Sequence, residues 1–267
     1  MRTLDFPGLD GQTLTGRISL PVDDHPRGWA LFAHCFTCSK DLRAVRAISD
    51  ALCSEGVAVF RFDFTGLGES EGDFADTDFG SNVEDLIAAA RYMAEVFEAP
   101  SLMIGHSLGG AAALVAAERL PSIRAVATIG APFDPAHVTN LFGPALETIR
   151  REGAAQVTIA GRPFTVGRDF VESVESHRME RTLAELGRSL LVMHSPVDTV
   201  VGIANARRIY EAARHPKSFI SLDDADHLLT DPADARYVGA VLASWADRYA
   251  LSPPDEPDLD RLREGDR

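Results

Sequence analysis

The chain has 267 residues, of which 45% are hydrophobic and 25% charged, enough to bury one large mixed core. A formal charge of −14 at pH 7 excludes nucleic acid and anionic membrane surfaces as partners, because both demand basic patches. The uncharged run Ser101 to Ala117 is broken by His106, Ser107 and three glycines, which excludes a membrane span.

The start, Met1-Arg2-Thr3-Leu4-Asp5-Phe6-Pro7, lacks the apolar core of an export signal. With three cysteines, Cys35, Cys38 and Cys53, that predicts a cytoplasmic location and reduced thiols. Thr13 to Leu20 alternates loosely after the turn Asp10-Gly11 and predicts an opening antiparallel hairpin. Trp29 to Ala33 reads as a buried strand ending at His34, followed by a helix from about Asp41 to Glu55 that Gly56 stops. Val57 to Phe62 is the next strand, and Asp63 to Ser70 a glycine-punctuated loop in which Arg61 and Asp63 read as structural anchors.

Ser81 to Phe97 predicts an amphipathic helix with Val83, Leu86, Ile87, Ala90 and Met93 on one face. Strands follow at Ser101 to Ile104, Ile123 to Ile129, Leu190 to His194 and Lys217 to Leu222. Helices are expected at Gly110 to Leu120 and Asp234 to Tyr249. This alternation predicts an α/β fold with a mostly parallel central sheet and helices on both faces. One domain would span residues 1–250, and residues 251–267, with Pro253-Pro254 and Pro257, read as a linker or disordered tail.

One stretch breaks the rhythm. Between Gly130 and Leu190 lie about sixty residues, where a single crossover helix needs far fewer. Within it, Gln156 to Val166 predicts a hairpin turning at Ala160-Gly161. An insertion of about residues 134–187 at the C-terminal sheet edge reads as a small cap over the ligand site, or else as decoration away from it. Its Phe142, Phe164 and Phe170 are candidates to line a pocket, or to pack the cap's own core.

Gly105-His106-Ser107-Leu108-Gly109 sits between a buried strand and an alanine-rich helix, the setting in which G-x-S-x-G marks a serine nucleophile on a sharp turn. Such a hydroxyl needs a base, and the base an orienting carboxylate. His227 follows the last strand and is the expected base, with His194 the runner-up. Asp198, in the loop after the strand at Leu190, is the expected acid, and Asp134 its rival. Two backbone N–H groups should hold developing negative charge: that of Leu108, and that of Phe36 with Cys35 next, in the turn after His34.

Across about Arg17 to Tyr249 the chain resembles the serine α/β-hydrolases. Ala33 to Asp41, Arg61 to Gly68 and His215 to Phe219 are similar to the hydrolase half of bacterial proteins that fuse this fold to an OsmC-type peroxide-reducing domain. Members of that family usually carry His-Gly where this chain has His34-Cys35, so a side chain enters the turn here. By this resemblance the chain is either a piece of such a fusion or a free-standing relative, with an OsmC-type domain as partner in related proteins. The cap resembles in position the insertion of cinnamoyl esterases, which implies short or aromatic acyl groups.

The resemblance implies a serine esterase acting on a small-molecule ester with no metal and no cofactor. Thioesterase, amidase and perhydrolase activities share the same residues. A small-molecule receptor, or a module supporting a redox domain, belongs to another class. Cys35-Phe36-Thr37-Cys38 lacks the second pair of a metal site and the βαβ setting of a redox pair, so buried thiols are expected there. A homodimer stays open.

Overall fold

The computed structural model describes residues 2–251. Apart from Leu251, the expected tail lies outside them. An eight-stranded sheet runs in the order β1-β2-β4-β3-β5-β6-β9-β10. Its strands are β1 (Arg2–Pro7), β2 (Thr13–Ser19), β3 (Gly28–Ala33), β4 (Val57–Phe62), β5 (Leu102–His106), β6 (Ala125–Ile129), β9 (Ser189–His194) and β10 (Lys217–Ser221). The pairs β1–β2 and β2–β4 are antiparallel, and every other pair in this sheet is parallel. The opening hairpin and the mostly parallel sheet are thus as the alternation predicts.

Successive side chains of a strand point to opposite faces, so the sheet separates two cores. Ala30 and Phe32 of β3 pack with Val57 and Val59 of β4 against α1 (Arg43–Ser54) and α8 (Pro232–Ala246). Leu31 and Ala33 join Phe60 and Phe62 on the other face, under α2 (Phe79–Val96) and α3 (Leu108–Glu118). Burying each such large apolar side chain stabilises the fold by about 1.5–3 kcal/mol. At the start of α2, Asp78 accepts the Ser81 N–H while the Ser81 hydroxyl accepts the Asp78 N–H, a reciprocal cap. α3 is apolar around its whole circumference, as an alanine-rich helix buried on all sides must be.

Between β6 and β9 the insertion holds a 3-10 helix (Pro135–Leu141), α4 (Ala145–Glu152), β7 (Ala154–Ile159), β8 (Arg162–Gly167), α5 (Arg168–Ser176) and α6 (Met179–Glu185). β7 and β8 form the expected hairpin, turning at Ala160 (φ 50°) and Gly161 (φ 77°). α7 (Ala204–Ala212), whose end near His215 is all the sequence marks of it, crosses from β9 to β10 and buries little besides Ala206 and Ile209. No helix among the described residues is long and apolar enough to cross a membrane.

Candidate active site

Ser107 sits between β5 and α3 at φ 56° and ψ −129°, a conformation costly to any residue with a side chain. Packing around it leaves no alternative to glycine on either side. A Cβ on Gly105 would meet the Gly109 carbonyl oxygen at 2.4 Å, and one on Gly109 would meet the His34 carbonyl oxygen at 2.3 Å. The spacing of the motif therefore records the close approach of β5, α3 and the turn after β3.

Loops leaving the parallel strands bring distant residues to this elbow. Ser107 Oγ lies 3.0 Å from His227 Nε2, and His227 Nδ1 lies 2.7 Å from Asp198 Oδ2. Asp198 Oδ1 accepts the N–H groups of Val200 and Val201, each at 2.8 Å. Burial raises the pKa of the Asp198 carboxyl, but the His227 hydrogen bond and the Val201 and Val200 amides outweigh it and hold it below the ordinary aspartate value. The carboxylate stays ionised and faces Nδ1, so Nε2 is left to receive a proton from the hydroxyl.

The rivals lie elsewhere. Asp134 is exposed and caps the 3-10 helix by accepting the Ala136 N–H at 3.0 Å. His194 is buried and donates through Nε2 to the Val201 carbonyl at 2.7 Å, so it braces the loop that carries Asp198.

Two further histidines brace the site, a role the sequence did not assign to either. His106 donates through Nε2 to the carbonyl of His227 at 2.7 Å and tethers that loop from beneath. Its signal is weak, because it stands at the variable position of the motif. His137, in the insertion, donates through Nε2 to the Val200 carbonyl at 2.8 Å and ties that segment to the loop that carries Asp198.

His106 is pushed down to about 3 by burial first and then by the nearby His227, against the pull of its carbonyl bond. His34 and His194 are also held below the usual imidazole value, chiefly by burial. All three stay neutral when folded but charge in the unfolded chain below pH about 6.5, so acid favours unfolding. Each weakens folding as the pH falls, by at most about 1.4 kcal/mol per pH unit, until its folded pKa is reached. Asp85, raised to about 6 mainly by burial, works in the opposite sense between its folded and unfolded values and offsets one of them. Urea midpoints should fall between pH 7 and pH 5, and His106→Asn should reduce that slope by one group's share.

After β3 the chain turns at Thr37 (φ 61°), with the Cys38 N–H bound to the Cys35 carbonyl at 3.0 Å. This turn brings the Cα atoms of Cys35 and Cys38 to 5.3 Å, within disulfide reach, and the two are bonded. The expectation of reduced thiols is corrected for this pair. Cys53 alone among the described cysteines is free, and burial pushes its thiol up to about 11.

The turn is anchored from below. The buried Lys40 donates from both its backbone N–H and its Nζ to the Asp63 carboxylate, each at 2.7 Å, and Arg61 Nε donates to the Lys40 carbonyl at 2.9 Å. Burial alone would lower the Lys40 pKa, but bonds to Asp63 and Glu69 raise it above the ordinary lysine value. Removing one member of such a buried pair costs about 3–5 kcal/mol. Arg61 and Asp63 are the structural anchors expected of them.

Phe36 points its ring at Phe74 and Phe170, with centroids at 5.5 and 5.1 Å. Phe142 and Phe164 belong to the same aromatic cluster, so of the two expected places, cavity wall or packed cap core, they take the second. Phe164 and Phe170 pack over Phe74, and Phe142 packs edge-on against Phe170, because the insertion folds back over Phe74. The wall of the adjoining cavity, about 440 Å³, is built instead from Phe36, Leu108, Ser107 and His227 below and from Leu141, Ile159 and other insertion residues above. Leu108 opens α3, so its N–H has no partner within the helix.

A family model described as serine aminopeptidase, S33, matches residues 24–160. The crystal structure of the esterase domain from a Rhodothermus marinus protein is 51% identical, with a TM-score of 0.78, over 93% of this chain and 98% of that one. Est1E from Butyrivibrio proteoclasticus, solved with ferulic acid, shares the fold at a TM-score of 0.81 and 19% identity, over 93% of this chain and 100% of that one. The mouse mitochondrial palmitoyl-protein thioesterase ABHD10 is 24% identical over 216 residues, 78% of this chain and 71% of its own. By the family match and the close relative together, the chain belongs to the serine α/β-hydrolases and is a hydrolase.

Proposed function

We propose that the protein hydrolyses carboxylic esters of small molecules with short or aromatic acyl groups, through an acyl-enzyme on Ser107. The observation that carries this reading is the unbroken line from Ser107 Oγ to His227 (3.0 Å) to Asp198 (2.7 Å), opening into the cavity. In this reading His227 takes the hydroxyl proton as Ser107 attacks the acyl carbonyl. The amides of Leu108 and Phe36 hold the oxyanion, and Asp198 stabilises the imidazolium. His227 then protonates the leaving alcohol. Water, deprotonated by the same imidazole, attacks the acyl-enzyme and releases the acid.

The insertion acts as a cap. A cavity of about 440 Å³ falls in the range that holds a small organic molecule and excludes a folded protein. The bound ferulic acid of Est1E supports an aromatic acyl group, and the likeness to ABHD10 supports thioesters as a second class on the same residues. A series of 4-nitrophenyl esters from acetate to palmitate, run beside a feruloyl ester and acyl thioesters, tests the reading. The highest kcat/KM is expected for short-chain or aromatic oxygen esters. Turnover confined to thioesters, or none at all, would contradict it.

A further inference from the structure

We propose that Arg162 forms an anion subsite at the mouth of the cavity and selects ester substrates that carry a carboxylate. The inference rests on the ester-hydrolase reading of the cavity.

Arg162 opens β8, just past the hairpin turn, and it is the one formally charged side chain on the cavity wall among the described residues. Its guanidinium stacks over the Phe164 ring, 5.2 Å from the centroid, and donates from one nitrogen to the Thr37 carbonyl at 3.4 Å. Phe164 in turn packs edge-on against Phe74, 5.3 Å away, and Phe74 against Phe36. The cation is therefore braced against the same turn that carries the Phe36 amide. No carboxylate among the described residues pairs with it, in a chain whose other surface arginines are often matched.

The histidines of the wall and Ser107 are already engaged. His137 uses Nε2 on the Val200 carbonyl and accepts from Asn140 at Nδ1, and Ser107 and His227 bond each other. A guanidinium has five N–H donors in a planar fork that fits a carboxylate, and only one is committed here. A chain of net charge −14 repels anions in general, so an anionic substrate needs a local cation to enter. Arg162 supplies it.

Two matched pairs test the proposal and separate the two places a carboxylate could sit. Mono-4-nitrophenyl glutarate against 4-nitrophenyl valerate puts the charge on the acyl side. Carboxymethyl butyrate against ethyl butyrate, followed by pH-stat, puts it on the leaving group. In at least one pair, Arg162→Gln should lower the anionic-to-neutral ratio of kcat/KM about tenfold, the effect of one charge-assisted pair at a partly solvated site. Arg162→Lys should retain part of the ratio, and raising salt should shrink it in the wild type. A ratio within twofold of wild type in Arg162→Gln for both pairs overturns the proposal. Equal losses on charged and neutral esters also overturn it, since they would make Arg162 a strut between the hairpin and Thr37. If the wild type cleaves none of the four esters, the ester reading fails. Calorimetric binding of glutarate then decides the subsite alone, weakened by Arg162→Gln if it exists and unchanged if it does not.

Discussion

Ser107→Ala is expected to lower kcat on the best ester by about six orders of magnitude, with the fold intact. The size follows from the geometry. Ser107 Oγ is the hydroxyl within hydrogen-bond reach of His227 Nε2, at 3.0 Å, and alanine removes the atom that would carry the acyl group. His227 and the two amides would still polarise a bound ester and direct water at it, so the residual rate should stay above the uncatalysed one. Folding should not suffer, because no hydrogen bond from the Ser107 hydroxyl other than that to His227 holds the elbow. The elbow's backbone bonds, Ser107 N–H to Ile129 and Gly110 N–H to Ser107, do not depend on the side chain. Steady-state rates together with intact mass after incubation with ester check the result. Wild type should show transient acylation, and Ser107→Ala none.

Asp198→Asn carries the second large effect, a loss of about 10⁴ in kcat. The Asn amide would keep its oxygen on the Val200 and Val201 N–H groups, so the loop should hold its shape. Its NH2 would then face His227 Nδ1, where only an acceptor belongs. That turns the imidazole to the tautomer with Nε2 protonated, which cannot take the Ser107 proton. Asp134→Asn is the control. It alters an exposed cap on a short helix and should change turnover less than twofold. A severe Asp134→Asn beside a mild Asp198→Asn would overturn the assignment of the acid.

Much of the site was legible because its logic is local. Gly105 and Gly109 flank Ser107 for reasons of contact within a few residues, and the strand and helix around them announce the turn. Asp198 and His227 were legible because parallel strands deliver their following loops to one edge of the sheet. What escaped depends on tertiary distances. The Cys35–Cys38 bond needs a Cα separation that spacing alone leaves open. Phe142, Phe164 and Phe170 were equally suited to a cavity wall or a cluster, and only the way the insertion folds over Phe74 decides it. His106 reaches a carbonyl 121 residues away, and nothing in its neighbours signals that bond. α7 is a short helix with only Ala206 and Ile209 buried, and the sequence marked no more of it than an end near His215.

The most direct test of the central claim is covalent labelling of the wild type with a fluorophosphonate, mapped by peptide mass spectrometry. A single adduct on Ser107, formed in step with loss of ester turnover and absent from His227→Ala on the same timescale, is the predicted result. An adduct on another residue, or turnover that survives complete labelling of Ser107, would contradict the account.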